Sequence, residues 1–209
     1  DRAIYLALME SIKIADGQDD KKNRDAIPTI LSDALSVSFN RNVGHDYLED
    51  YEERYELYNK KESRIQFDLE YFNKITKGGL PNKTLNIALA GTGVGKSLFM
   101  CHHASAVLLE GKNVLYITLE MAEEKIAERI DANLLNVNIQ EIVDLPKPIF
   151  ESKVTNLAKK TQGSLIIKEY PTASAHSGHF KALLNELALK KAFKPDIIFI
   201  DYLNICASS

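Results

Sequence analysis

The chain has 209 residues, 45% of them hydrophobic and 26% charged, with a formal net charge of −3. This composition excludes an intrinsically disordered chain, and the length provides for one full domain plus a smaller appendage whose core needs neither disulfides nor a structural metal. The charge balance neither points to a nucleic-acid partner nor excludes one, because a local basic patch can work within an acidic protein.

From the N-terminus, Ile4, Tyr5, Leu8, Met9 and Ile12 recur at helical spacing and predict an amphipathic helix over residues 2–14. The charged run Asp16-Gly17-Gln18-Asp19-Asp20-Lys21-Lys22-Asn23-Arg24-Asp25 reads as a solvated loop. A second helix is expected over 28–39, with Pro28 in its first turn and Ile30, Leu31, Ala34 and Leu35 as its apolar stripe. A third is expected over 46–61, where Tyr47, Leu48, Tyr51, Tyr55 and Tyr58 alternate with acids. Those tyrosines read as a half-buried helix face; as a base-stacking platform their acidic neighbours would repel phosphates.

The pattern changes from Arg64 onward. Thr84-Leu85-Asn86-Ile87-Ala88-Leu89 is a strand candidate, residues 96–110 a mostly apolar helix that Gly111 ends, and Val114-Leu115-Tyr116-Ile117-Thr118-Leu119 a strand. A helix over 123–135, punctuation at Pro146 and Pro148, a strand over 164–167, a helix over 180–192 and a strand over 197–200 follow. Continuously apolar strands alternating with helices predict an α/β fold, a mostly parallel sheet covered on both faces. The boundary is expected near residue 62, with a helical segment over 1–62 and the α/β unit over 63–209.

The central motif is Ala90-Gly91-Thr92-Gly93-Val94-Gly95-Lys96-Ser97, running on into Leu98. A glycine-rich turn between a strand and a helix aims its N–H groups inward, and these cradle phosphate oxygens together with the helix dipole. Lys96 would neutralise the terminal phosphates and the Ser97 hydroxyl would reach Mg²⁺. Ala90 stands where the usual pattern has its first glycine.

Two acids at strand ends complete the candidate site. Ile197-Ile198-Phe199-Ile200-Asp201 is an apolar run ending in a carboxylate at the ligand edge of a parallel sheet, suited to holding Mg²⁺ directly or through water. Glu120, after the preceding strand, can orient a water toward the terminal phosphate and accept its proton.

On these residues the chain resembles the DnaB-type replicative helicases, and within them the T-even-like phage branch. The resemblance rests on Thr76-Lys77-Gly78-Gly79-Leu80, the phosphate loop, Leu119-Glu120-Met121 with Glu124 and Arg129, and Ile200-Asp201-Tyr202-Leu203. It implies a RecA-like P-loop core and an ATP- and Mg²⁺-dependent DNA helicase moving 5′ to 3′ on single-stranded DNA at replication forks. It also implies a homo-hexamer with ATP sites between subunits, with primase and a helicase loader as partners. Lys96 and Ser97 would bind phosphate and Mg²⁺, Glu120 would be the catalytic base, and Asp201 would serve the metal. The segment from Ile27 to Asn40 resembles the linker helix that docks on a neighbouring subunit. The family's DNA-binding loops, phosphate sensor and arginine finger lie beyond the last residue, eight positions after Asp201, so the chain alone is expected to hydrolyse ATP poorly. Rival readings are a recombinase or circadian-type RecA-like ATPase that does not unwind forks, a small-molecule kinase, and a non-enzymatic assembly module.

Other signals are discounted. His102 and His103 are adjacent and diverge on a helix, which suits packing or polar contacts rather than a metal. His176 and His179 lack Cys or acid partners at zinc spacing. Lys159-Lys160 and Lys190-Lys191 read as solvated helix ends. Cys101 and Cys206 read as buried, unpaired thiols of a reducing compartment. There is no initiator Met, no signal-peptide pattern and no apolar run long enough to span a membrane, so the chain is expected to begin inside a longer cytoplasmic protein, in the host cytoplasm if phage-encoded.

Overall fold

The N-terminal stretch forms three helices, α1 (Arg2–Ala15), α2 (Ile27–Phe39) and α3 (Tyr51–Asn59). The computed structural model describes residues 2–18, 22–39, 46–60 and 62–208. The chain divides into two compact units, Asp1–Lys61 and Glu62–Ser209.

In the first unit α1 packs on α2. The buried face of α1 is Ala7, Ser11 and Ile14, whereas Tyr5, Leu8, Met9 and Ile12 of the expected stripe are exposed. Small residues at 7 and 11 let a neighbouring helix approach closely, which the bulkier stripe does not. Arg24, in a short 3₁₀ turn, donates to the Ala15 carbonyl at 2.9 Å and so closes the C-terminus of α1. Asp19, Asp20 and Lys21 of the charged loop lie outside the described residues, as do Asn40, the last residue of the expected linker segment, and Lys61, the last of the third expected helix.

The third helix is shorter than expected. Asp46 Oδ1 accepts the N–H groups of Leu48 and Glu49, both at 2.9 Å, and this side-chain turn holds the chain out of helix until Tyr51. Tyr47, Tyr51, Tyr55 and Tyr58 are all exposed, so the stripe is not the half-buried face its spacing suggested. Acids interleave with the rings on every side, leaving no continuous apolar face to bury.

The second unit opens with a small antiparallel pair, β1 (Arg64–Ile65) and β2 (Leu80–Pro81), joined through α4 (Glu70–Ile75). The Thr76-Lys77-Gly78-Gly79-Leu80 run makes the return. Thr76 Oγ1 accepts the Gly79 N–H at 3.0 Å, and Arg64 donates to the Thr76 carbonyl at 2.9 Å. Gly79 has φ +109, and a Cβ there would lie 2.3 Å from the Ile65 carbonyl oxygen, so glycine is required.

The expected strand over Thr84–Leu89 is not formed, and Leu85, Ile87 and Leu89 are 84%, 73% and 93% exposed. Strand propensity describes how side chains suit a pleated surface, but a ladder also needs a partner edge. Both edges of the central strand are taken, and residues 84–89 pair with neither outer edge of the three-stranded sheet.

That central strand is β3 (Val114–Thr118), reached through α5 (Lys96–Leu109). Gly111, at φ +81, ends α5: its N–H reaches the Leu108 carbonyl at 3.0 Å and the Lys112 N–H reaches Val107 at 3.3 Å. After β3 come α6 (Glu123–Leu134), α7 (Ile139–Ile142), α8 (Lys147–Ala158), β4 (Leu165–Glu169), α9 (Ser177–Lys191), β5 (Ile197–Asp201) and a 3₁₀ turn at Leu203–Ile205. The sequence reading missed α7 and α8. Pro148 sits in the first turn of α8, where proline starts a helix rather than interrupting a loop.

The sheet order is β4-β3-β5, all parallel, with Val114 opposite Leu165 and Ile197, and Thr118 opposite Glu169 and Asp201. Every residue of β3 is buried. Val114 and Tyr116 join a core with Cys101, Ala104, Val107, Ile126 and Ile130 from α5 and α6. Leu115, Ile117 and Leu119 join another with Leu183 and Leu187 of α9. Two covered faces explain why β3 reads as an unbroken apolar run. Asn113 ties the strand bases together: its N–H donates to Asp196 at 2.8 Å and its Oδ1 accepts from the Ser164 N–H at 3.2 Å. No helix among the described residues is long and apolar enough to cross a membrane.

Candidate nucleotide-binding site

The glycine-rich loop crosses the carboxyl end of the sheet and enters α5 at Lys96. Gly95 is the N-cap residue with φ +106, and Gly93 has φ +77, so the loop turns through backbone that a side chain would strain. No side chain caps α5. The first-turn N–H groups of a helix have no partner within it, so here they stay available to an anion. A Cβ on Gly93 would meet nothing within 4 Å, so the loop is open where a ligand would approach.

Gly91, Thr92, Gly93, Gly95, Lys96, Ser97 and Leu98 line one side of a cleft of about 320 Å³. Glu120, Met121, Arg129 and Tyr202 line the other. Uncapped helical N–H groups, Lys96 and Arg129 make a donor set suited to a polyphosphate, and Ser97 and Glu120 add oxygens suited to a hard cation. Lys96 Nζ donates to the carbonyls of Ala90 at 3.0 Å and Gly91 at 3.4 Å, and lies 5.9 Å from the centre of the Tyr202 ring.

The remaining expected residues sit around this cleft rather than in its wall. Ala90 takes part through its carbonyl, and the Val94 side chain is exposed. Asp201 is 1% exposed and does not line the cleft, although the next residue, Tyr202, does. Its Oδ2 accepts the Tyr116 hydroxyl at 3.0 Å, and Oδ1 accepts no hydrogen bond from a described residue. The Leu119 N–H donates to the Asp201 carbonyl at 2.9 Å, which extends the β3–β5 ladder to the point where Glu120 leaves it.

Four contributors were given no site role from the sequence, and the first, Met121, follows Glu120 into the cleft wall. Arg129 and Tyr202 reach the cleft from α6 and from the residue after β5. Tyr116 was read only as part of an apolar strand. Its signal was a phenol among aliphatic residues at a position that must be buried on both faces. Burial, then Cys101 and Asp201, push the Tyr116 phenol far above the ordinary range, so it stays a donor. Burial likewise raises the Cys101 thiol, whose S–H donates to Tyr116 Oη at 3.8 Å.

The discounted residues take structural places. His102 bridges Asp68 at 2.6 Å and Asn133 at 2.7 Å, and His103 stacks on Phe67 with ring centres 4.3 Å apart. His176 and His179 cap α9 reciprocally. Lys190 and Lys191 lie in the last turn of α9, and Lys159 closes α8. Both cysteines are unpaired, Cys101 buried and Cys206 half-buried. Among the described residues no group of three or more His, Cys, Asp or Glu could hold a metal ion.

Comparison with known proteins identifies the family of the chain. Residues 65–209 match the DnaB-like helicase C terminal domain family. The chain is 46% identical to a DnaB-like replicative helicase of Enterobacteria phage T4, over 99% of this chain and 46% of that protein. It is similar in structure, at a TM-score of 0.61 and 15% identity, to a chain from a structure described as a DnaB-like replicative helicase and its interactions with primase, covering 98% of this chain and 49% of the other. The chain therefore spans about half the length of the relatives it matches. The family match covers more than half of the chain, and the chain belongs to the DnaB-like helicase C-terminal domain family.

Proposed function

We propose that this chain is the nucleotide-binding part of an ATP-driven replicative DNA helicase, which hydrolyses ATP to move 5′ to 3′ on single-stranded DNA and open the fork. The observation that carries the reading is the convergence, in one cleft, of the uncapped start of α5, Lys96 and Ser97 with Glu120 and Arg129. Membership of the DnaB-like family supports unwinding over the other uses of such a cleft.

Each residue has a distinct task in this proposal. The N–H groups of the loop and the first turn of α5 bind phosphate oxygens. Lys96 leaves the carbonyls of Ala90 and Gly91 and turns to the terminal phosphates, exchanging neutral acceptors for charged ones. Ser97 and Asp201 would hold Mg²⁺, which when bound neutralises the terminal phosphates. Glu120, exposed at the cleft wall, orients the attacking water and takes its proton. Arg129 adds positive charge opposite the loop.

The partners belong to the same proposal: single-stranded DNA, further copies of the chain in a hexameric ring, a primase and a helicase loader. The half-buried Ile30 and Leu31 with the exposed Leu35 make α2 the element proposed to dock on a neighbouring subunit. Fork unwinding by the full-length protein with Mg-ATP tests the reading. Unwinding that needs a free 5′ tail and disappears with Glu120→Gln supports it, and DNA-stimulated ATPase without unwinding refutes it.

A further inference from the structure

Tyr116 lies in the middle of β3 with no exposed surface. An aliphatic residue would serve a buried parallel strand equally well, and a buried hydroxyl costs free energy unless it is hydrogen-bonded. This hydroxyl is held on both sides. The Cys101 thiol donates to it at 3.8 Å, and it donates to Asp201 Oδ2 at 3.0 Å. The ring stacks on Phe199, its cross-strand partner, with centres 5.7 Å apart and planes at 21°. That stack limits how the phenol can point.

The line of polar atoms joins the helix that opens at Lys96 to the strand that ends just before Tyr202, and Lys96 and Tyr202 both line the cleft. Cys101 follows Ser97 by four residues on α5, so the two share a helix face. Thr118 is the register partner of Asp201, and Tyr116 stands two residues earlier on the same face of β3. Asp201 is itself buried, so bulk water does not orient its carboxylate. One of its oxygens is tied to Tyr116, and the other accepts no hydrogen bond from a described residue.

We propose that Tyr116 is a positioning residue, whose hydroxyl anchors Oδ2 of Asp201 and thereby presents Oδ1 to the divalent cation that accompanies the nucleotide. This rests on the proposed role of Asp201 toward Mg²⁺. The physical logic is that of an outer-shell partner. A carboxylate fixed through one oxygen binds with the other at a smaller loss of side-chain freedom.

The test is a two-residue cycle in the full-length protein. Binding of ATP carrying a fluorescent group on its ribose is followed as Mg²⁺ is titrated, and again without Mg²⁺. Tyr116→Phe keeps the ring and its stack on Phe199 and removes only the anchor. It is expected to raise the Mg²⁺ concentration for half-maximal binding by about tenfold or more, the usual cost of losing an outer-shell partner. Binding without Mg²⁺ stays unchanged, and Tyr116→Phe adds nothing when Asp201→Asn is already present. An unchanged Mg²⁺ dependence, or a shift that persists beside Asp201→Asn, overturns the proposal. If Asp201→Asn alone leaves the Mg²⁺ dependence intact, the role of Asp201 fails, and the proposal with it. Should Tyr116→Phe fail to fold while the double variant folds, the hydroxyl serves the fold by balancing the buried carboxylate, and the positioning role fails. If neither folds, Tyr116 serves packing alone and the proposal is wrong.

Discussion

The backbone N–H of Leu119 donates to the carbonyl of Asp201 at 2.9 Å, the bond that carries the β3–β5 ladder past its last registered pair. It holds the end of β3 beside the end of β5, so Glu120 lines the cleft while Asp201 stays buried. Two acids one ladder step apart thus meet different surroundings, one solvated and one 1% exposed. An exposed carboxylate can exchange protons with a water, whereas a buried one is held in a fixed orientation. This difference separates the proposed base from the proposed metal residue.

Lys96→Ala should weaken nucleotide binding. The ammonium donates to two neutral loop carbonyls, and phosphate oxygens are stronger acceptors for it. A charge-assisted hydrogen bond contributes about 1.5–3 kcal/mol, so Mg-ATP affinity by calorimetry should fall about tenfold to about a hundredfold. Unchanged affinity would remove the phosphate-binding role from the loop.

Glu120→Gln should separate binding from turnover. The side chain lines the cleft and is exposed, so the amide costs the fold little. Loss of a general base slows a reaction by about 10²- to 10⁴-fold. Steady-state ATPase in the full-length protein should drop by that much with nucleotide affinity retained. A normal rate would place the base elsewhere.

Leu31→Asp together with Leu35→Asp tests the docking proposed for α2. Leu35 is 44% exposed, so a charge there weighs mainly on an intermolecular contact. Sedimentation of the full-length protein should show the proposed hexamer dissociating. An intact ring that carries both substitutions removes the role of α2.

Gly79→Ala should destabilise the Glu62–Ser209 unit. A Cβ would sit 2.3 Å from the Ile65 carbonyl oxygen, and the backbone is at φ +109. Neither neighbour is a flexible side chain that can move aside. A strained backbone alone costs about 1–3 kcal/mol, and the clash adds to it, so the thermal midpoint should fall by several degrees. Gly111→Ala gives the comparison, because a Cβ there meets nothing within 4 Å and only the strain at φ +81 remains. Equal losses in the two variants would show that the close approach at Gly79 is unimportant.

How much of this was legible in the sequence differs by element. The unbroken apolar run of β3 and the glycine–lysine–serine loop announce themselves, because a strand buried on both faces and a loop that must turn at positive φ admit few residue types. Thr84–Leu89 carried the same apolar signal and formed no strand, because hydrophobicity does not say which edge is free to pair. The α3 tyrosines carried helical spacing and stayed exposed, because spacing does not supply a partner. Arg129, named only within the motif spacing, and Tyr116 were given no site role for a third reason. Their roles come from contacts across the fold, to the loop and to Asp201, that no local window contains.

His103 provides a pH test of the core between α5 and the sheet. It is 2% exposed, and neither ring nitrogen has a hydrogen-bond partner among the described residues. It stacks on Phe67 and meets Phe199 edge-on at 5.7 Å. Burial, with a smaller contribution from His102 and against the pull of Asp68, lowers its pKa from 6.5 to about 4. A depressed histidine binds its proton more readily unfolded than folded. Its contribution is therefore complete above about pH 6.5 and is lost as pH falls toward 4. At about 1.4 kcal/mol per pH unit across that window, the loss reaches about 3 kcal/mol. His103→Phe keeps a flat ring against Phe67 and removes both unpartnered nitrogens, so it should flatten the acid limb of the stability curve. Thermal unfolding of both proteins from pH 7.5 down to 4.5, as experimental settings, isolates the effect, because the other titrating groups are common to both. Parallel curves would mean that His103 keeps its proton in the folded state, with water or a rearranged ring satisfying it.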